Sequence, residues 1–324
     1  MTTLQPLRED RAGPSPRTAA SESLGRRLRL AWFRHDGLRG YALISPTLLA
    51  MLLLLGAPLV SLVVLSFWTQ TYFEFDTTPT LRNYAKLVDW QDTPVYLRTL
   101  WRSLLMAGAA TTAVVLLAYP IAYFLAFRVK QHKMVWLVLI TVPFWTSYLL
   151  RIFAWKVILG FNGLINSSLI GLGLIEEPLE FLLYNQAAVT ITLAHAWAAY
   201  AILPIYVSLE KIDRSLLEAA TDLGKGPVEG FLKVTLPLSL PGTIAAALLV
   251  FIPTVGDYVT PTLVGGSSGL MVGNVIQSLF GKANDAPLGA ALSILTMGVV
   301  TLLVCALLWA VRPNRSGAEL QVRR

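Results

Sequence analysis

The sequence predicts an all-α fold, a polytopic transmembrane helical bundle of six spans with a polar helix-pair loop on one side. Three observations predict it. Of 324 residues, 55% are hydrophobic and 14% charged, where a soluble domain averages about 25% charged. The apolar residues gather into six long stretches. The basic residues sort into alternate loops between those stretches.

A bilayer core of about 30 Å needs roughly 20 apolar residues per helix. Six stretches meet that length: Tyr41–Trp68, Thr99–Phe127, Met134–Leu159, Ala187–Leu209, Leu240–Val264 and Leu288–Val311. In lipid every backbone polar group must be paired within the segment, so these are helices and not open sheet. Pro46, Pro58, Pro120, Pro143, Pro204 and Pro253 interrupt them. Each removes a backbone hydrogen bond and bends the helix. Such bends suit a domain that rocks between two states, although prolines are common in membrane helices in any case. The spans set the domain boundaries: a basic tail over 1–40, the six-helix domain over 41–311 and a second tail over 312–324.

Residues 1–40 are rich in Arg, Ser, Ala and Pro and poor in core formers. The stretch that follows is too long for the apolar part of a secretory signal, and no small-residue cleavage site follows it. Trp32 and Phe33, beside Arg26, Arg27, Arg29 and Arg34, fit either a short helix on an anionic lipid surface or a solvated tail.

Direction follows from Lys and Arg. The first tail, the Arg128–Lys133 loop, the loop around Glu218 and the last tail together hold 19 basic residues, against 3 in the other loops. Both termini and the Glu218 loop are therefore expected on the cytoplasmic side. The net charge of +7 then reads as a topology signal and not as a nucleic-acid surface. The outward loops are aromatic and acidic: Tyr72, Phe73, Glu74, Phe75 and Asp76 in one, Glu176, Glu177 and Glu180 in another. Cys305 is the one cysteine and permits no intrachain disulfide. His35, His132 and His195 are scattered across the topology, so no metal site is indicated.

The Glu218 loop is longer and more mixed in charge than a short inner loop needs to be. Asp213 or Ser215 can cap a helix running to Leu223. Leu216, Leu217, Ala220 and Leu223 form its apolar stripe. Gly224 ends that helix, because only glycine turns the chain without steric cost. Gly226-Pro227 restarts it, Phe231 and Leu232 give the second helix an apolar side, and Leu236-Pro237 ends the excursion. Exposed apolar surface on such helices marks a partner. No Gly-x4-Gly-Lys-Ser/Thr phosphate loop occurs in the chain.

One acid, Asp257, falls well inside a span. An intramembrane carboxylate is costly and a functional candidate by default. Tyr258 adjoins it; Trp145, Tyr148 and Trp155 lie on the third span, and Tyr119 and Tyr123 on the second. Aromatic faces and a carboxylate suit a desolvated ammonium. Two roles are open to Asp257: counter-charge for such a group, or partner of Arg151 or Lys156. His195 reads as a packing residue.

The loop Glu218-Ala219-Ala220, Gly224, then Val234-Thr235-Leu236-Pro237 resembles the signature loop of the permease subunits of bacterial ABC importers at every specified position. The resemblance continues in Pro143-Phe144-Trp145-Thr146-Ser147, Arg151, Ala154-Trp155, Asn162-Gly163-Leu164, Leu209 to Asp213, Phe251-Ile252-Pro253, Gly256-Asp257-Tyr258, Leu263 to Gly266 and Gly273 to Ile276. Over roughly residues 80–310 these look like the spermidine/putrescine type, closest to the first of its paired permeases. The resemblance implies coupling to a dimer of cytoplasmic ATPase subunits through Glu218, Ala219, Ala220, Gly224, Leu236 and Pro237. It also implies a second permease subunit and an outer solute-binding protein, with no cofactor in this chain because ATP is bound by the partner. A polyamine is the implied solute; another small solute, such as an amino-acid derivative, an opine or another organic ion, is the alternative. A membrane-embedded enzyme lacks a nucleophile, acid–base or paired-carboxylate constellation. A passive channel has no use for the loop.

Overall fold

The computed structural model describes residues 36–88 and 95–311. Most of the first tail and all of the last therefore lie outside the described residues. The described residues up to Ser61 belong to one compact unit and those from Leu62 to another.

In the first unit, α1 (Asp36–Met51) passes through a π turn at Leu52–Gly56 into α2 (Ala57–Ser66), which crosses into the second. The wide turn falls just before Pro58, where the ring removes a backbone donor.

The described residues of the second unit are helical apart from one hairpin, β1 (Thr69–Thr71) against β2 (Glu74–Asp76), with Gln70 opposite Phe75. Its helices are α3 (Arg82–Val88), α4 (Val95–Tyr123), α5 (Lys133–Thr141), α6 (Tyr148–Leu159), α7 (Leu164–Gly171), α8 (Gln186–Glu210), α9 (Arg214–Asp222), α10 (Pro227–Gly230), α11 (Leu236–Val255), α12 (Val272–Phe280) and α13 (Ala286–Ala310). The fold is all-α as expected, and the turn at Tyr72 (φ 57°) closes the hairpin.

Among the described residues six helical segments are long and apolar enough to span a membrane: Leu43–Ser66, Val95–Arg128, Tyr148–Gly171, Gln186–Glu210, Pro227–Val255 and Ala286–Ala310. Four match the expected spans closely, and two need correction. The expected third span, Met134–Leu159, is broken. It comprises α5, a 3-10 turn at Val142–Trp145 and an extended Thr146 before α6 begins. Pro143, in that 3-10 turn, has no N–H to bond back into α5, which ends at Thr141. The expected fifth span, Leu240–Val264, starts earlier and ends earlier. Helix runs from Pro227 through a π turn at Phe231–Thr235 to Val255 and stops at Gly256. Leu236-Pro237 does not end the polar excursion; Pro237 stands where the π turn passes into α11, so its missing N–H falls beside that wider turn.

Helices α4, α8 and α11 pack on one another through small residues. Ala118, Ala122, Ala201 and Ala246 are almost fully buried between them, with Val114, Ile205, Leu209 and Val250 filling the gaps. Close backbone approach of this kind drives helix association in lipid, where apolar residues gain little by avoiding one another's solvent. Gly242 shows how close it is: a Cβ there would lie 2.3 Å from the Ser208 Cβ and 2.5 Å from the Pro204 carbonyl oxygen. A second cluster joins α4, α12 and α13 through Leu100, Ala107, Val272, Leu279 and Leu292. A third joins α4, α6 and α8 through Ala110, Ile152 and Leu193.

Candidate functional site

Two places carry the chemistry expected from the sequence: the break after α11 and the α9–α10 excursion.

At the break, Gly256 ends α11 with φ −88° and ψ 2°. Asp257 then caps the next turn. Its Oδ1 accepts the Val259 N–H at 2.8 Å, as an N-cap carboxylate does. Its Oδ2 accepts the Thr260 hydroxyl at 2.7 Å and the Tyr148 hydroxyl from α6. Asp257 is thus not within a span but just beyond a helix end, and 9% exposed. It makes no ion pair with Arg151 among the described residues. The Tyr148 and Thr260 hydroxyls donate to its Oδ2 and the Val259 N–H to its Oδ1, and the Arg151 guanidinium turns to the Ala196 carbonyl, 2.8 Å away.

The segment after Asp257 is held from α12. Asn274 donates to the Tyr258 carbonyl at 2.8 Å and to the Thr262 hydroxyl at 2.8 Å. Its Oδ1 accepts the Met271 N–H at 3.0 Å. Gly273 lies flush against the break: a Cβ there would be 2.5 Å from the Gly256 carbonyl oxygen and 2.8 Å from that of Asp257. From α4, Ser103 accepts the Val272 N–H at 2.7 Å and Arg102 donates to the Leu270 carbonyl at 2.6 Å. Irregular backbone within a membrane domain persists only where such partners satisfy it.

Asp257 opens on a cavity of about 330 Å³ lined by Tyr148, Arg151, Ala196, Trp197, Tyr200, Pro253, Gly256 and Tyr258. Of the six residues singled out in sequence, Asp257, Tyr148 and Tyr258 meet here. The other three do not line it. Trp145 is 79% exposed in the break before α6. Trp155 packs edge-on against His195 at 5.4 Å. Tyr119 bonds Ser239 at 2.6 Å and packs against Phe231, at the start of α11. That is roughly 24 Å from Val255 at about 1.5 Å of rise per residue. Trp197 and Tyr200 went unread, though their i, i+3 spacing places them on one face of α8. His195 packs against aromatic rings, and no cluster able to hold a metal exists among the described residues.

The polar excursion has the local structure that its sequence dictates. Asp213 caps α9 through the Ser215 N–H at 2.9 Å. That bond, with a side-chain bond from the same serine, holds the Asp213 carboxyl below the usual carboxylate range. Gly224 has φ +76° and closes α9, with its own N–H bonded to the Thr221 carbonyl at 2.9 Å. Gly226 and Pro227 begin α10. Ala220 is buried, whereas Glu218 and Ala219 are exposed. Leu216, Leu223, Val228 and Leu232 are exposed as well, so the helix pair presents apolar surface beyond what its own chain covers.

Six long apolar helices with an exposed polar helix pair define the class of multi-pass helical membrane proteins. The chain is a member of the family of binding-protein-dependent transport system inner membrane components, whose model matches residues 51–313. Among its relatives is the spermidine/putrescine transport system permease protein PotB of Haemophilus influenzae. It is 38% identical over 248 residues, covering 76% of this chain and 85% of the relative. PotB of Escherichia coli is 40% identical over 230 residues, 71% of this chain and 82% of the relative. The Escherichia coli inner membrane ABC transporter permease protein YdcU is 31% identical, covering 80% and 88%. In fold the chain is similar to a bacterial ABC transporter involved in import of the acidic polysaccharide alginate. That match has a TM-score of 0.65 and 16% identity, over 88% of this chain and 98% of the other. The chain is the permease component of a binding-protein-dependent ABC importer, a multi-pass membrane protein and not an enzyme.

Proposed function

We propose that this permease forms half of the pathway of a polyamine importer, with spermidine or putrescine as solute. The cavity beside Asp257 carries the reading. It offers one buried carboxylate amid Tyr148, Trp197, Tyr200 and Tyr258. A desolvated alkylammonium gains from a carboxylate and from aromatic faces, each face contributing about 0.5–2 kcal/mol. The PotB relatives carry spermidine and putrescine in their names, which supports the same solute.

The rest of the machine follows from the loops. The basic loops face the cytoplasm, together with both termini. The exposed face of α9 and α10, with Glu218 and Ala219 before Gly224, docks on a cytoplasmic ATPase subunit, while Ala220 is buried behind that face; Leu236 and Pro237 carry its movement into α11. ATP is bound there and not by this chain. A second permease completes the pathway, and an outer binding protein delivers the solute. Closure of the ATPase dimer displaces α9 and α10, and the bent helices switch the pathway between inward and outward openings. Asp257 and Tyr148, facing each other across the break after α11, meet the ammonium during passage.

The test is uptake of radiolabelled spermidine and putrescine by the complete transporter in proteoliposomes. Binding-protein- and ATP-dependent uptake of either amine is expected. Uptake of neither, with uptake of another solute under the same conditions, would refute the polyamine reading and leave the permease standing.

A further inference from the structure

Arg151 is the one cation lining the Asp257 cavity. It sits on α6 three residues after Tyr148 and is only partly exposed. Its Nη1 donates to the Ala196 carbonyl at 2.8 Å. Its guanidinium carbon lies 5.2 Å from the Phe144 ring centroid and 5.8 Å from that of Tyr148. Its buried Nε has no hydrogen-bond partner, and no carboxylate lies within ion-pair distance among the described residues. One carbonyl and two ring faces orient this charge with no direct ion pair. A guanidinium without an ion pair within a membrane domain is expensive and calls for a function.

The cavity therefore carries one charge of each sign. A polyamine is a flexible chain with an ammonium at each end. One ammonium can meet Asp257. A second in the same 330 Å³ would stand within several ångströms of Arg151, where partial exclusion of water strengthens repulsion. Carboxylate and aromatic faces acting alone would hold a polycation and slow its passage. Resting on the polyamine reading above, we propose that Arg151 is a specificity-determining residue that admits one ammonium at a time and keeps the pathway's hold on the polycation weak. Its repulsion grows with the charge of the solute, so it affects a trication more than a dication.

Arg151→Gln removes the charge and leaves an amide donor on a shorter side chain; Arg151→Lys keeps the charge and loses the planar fork. The experiment measures KM and kcat for spermidine and for putrescine uptake by the complete transporter in proteoliposomes, at matched protein abundance. With Arg151→Gln, KM and kcat should fall together by roughly three- to tenfold, more for spermidine than for putrescine, while Arg151→Lys stays near wild type. If both variants lose kcat equally for both amines with KM unchanged, Arg151 only ties α6 to α8 and the inference is overturned. A raised KM in Arg151→Gln also overturns it, because Arg151 would then attract an anionic group of the solute. Failure of the wild-type transporter to take up either amine removes the polyamine reading itself, an outcome distinct from both.

Discussion

Asp257 has two claims on it, and one substitution separates them. Its carboxylate caps a turn through the Val259 N–H and accepts two hydroxyls, so it could serve structure alone. Asparagine is about as good a cap as aspartate but carries no charge. Asp257→Asn should therefore leave membrane abundance near wild type and reduce polyamine uptake at least tenfold, the effect of about 1.4 kcal/mol in binding. Immunoblots of membranes alongside initial uptake rates check this. Normal uptake would leave Asp257 a cap and nothing more. The same site shows what a sequence can reveal. A carboxylate in an apolar stretch stands out, and so do neighbouring aromatics. Its partner does not: Arg151 looked available, yet Tyr148 and Thr260 hold the carboxylate. Which donor wins depends on where α6 meets the break after α11, and no spacing along the chain encodes that.

Two glycines decide how the elements meet, and each has a distinct signature when replaced. Gly224, at φ +76°, turns the chain between α9 and α10, a conformation that costs a side-chain-bearing residue about 1–2 kcal/mol. Gly224→Val should still insert and accumulate, but misdirect α10 and lower ATP-dependent uptake severely. Co-purification with the ATPase subunit and uptake, measured together, test it; normal values for both would contradict the docking role. Gly273→Ala acts on the break. Its Cβ would press on the Gly256 and Asp257 carbonyls, and overpacking of this kind costs roughly 1–3 kcal/mol. Uptake and thermal stability in detergent should both drop, and a variant unchanged in both would show that the break tolerates displacement. Gly224 was legible as a helix stop, and Gly226-Pro227 as a restart. The breaks at Thr146 and Gly256 were not read as breaks, although Pro143 and Gly256 were visible. Hydropathy averages over a window and stays high across a break whose flanks are apolar, so it merged α5 with α6 and extended α11 past its end.

At the scale of the whole molecule, the spans were legible because lipid imposes length and composition on each helix independently. The cavity was not, because Trp197 and Tyr200 reach it from a different helix than Tyr148 or Asp257. The distribution of basic residues, 19 against 3, predicts which face is which. In a Cys305→Ser background, Gly226→Cys should react with a membrane-impermeant thiol reagent only after the inner face is exposed, and Ser267→Cys from outside in intact cells. Labelling of Gly226→Cys from outside would invert the topology. In the proposed transporter an outer polyamine signal reaches an inner ATPase through this chain. The decisive quantity is the ATP hydrolysis rate of the reconstituted complex with its binding protein, with and without spermidine, in wild type and in Glu218→Lys. Spermidine should raise the wild-type rate several-fold, and Glu218→Lys should abolish the increase while the complex still inserts. A rate indifferent to spermidine and putrescine, or an undiminished response in Glu218→Lys, would contradict this coupling.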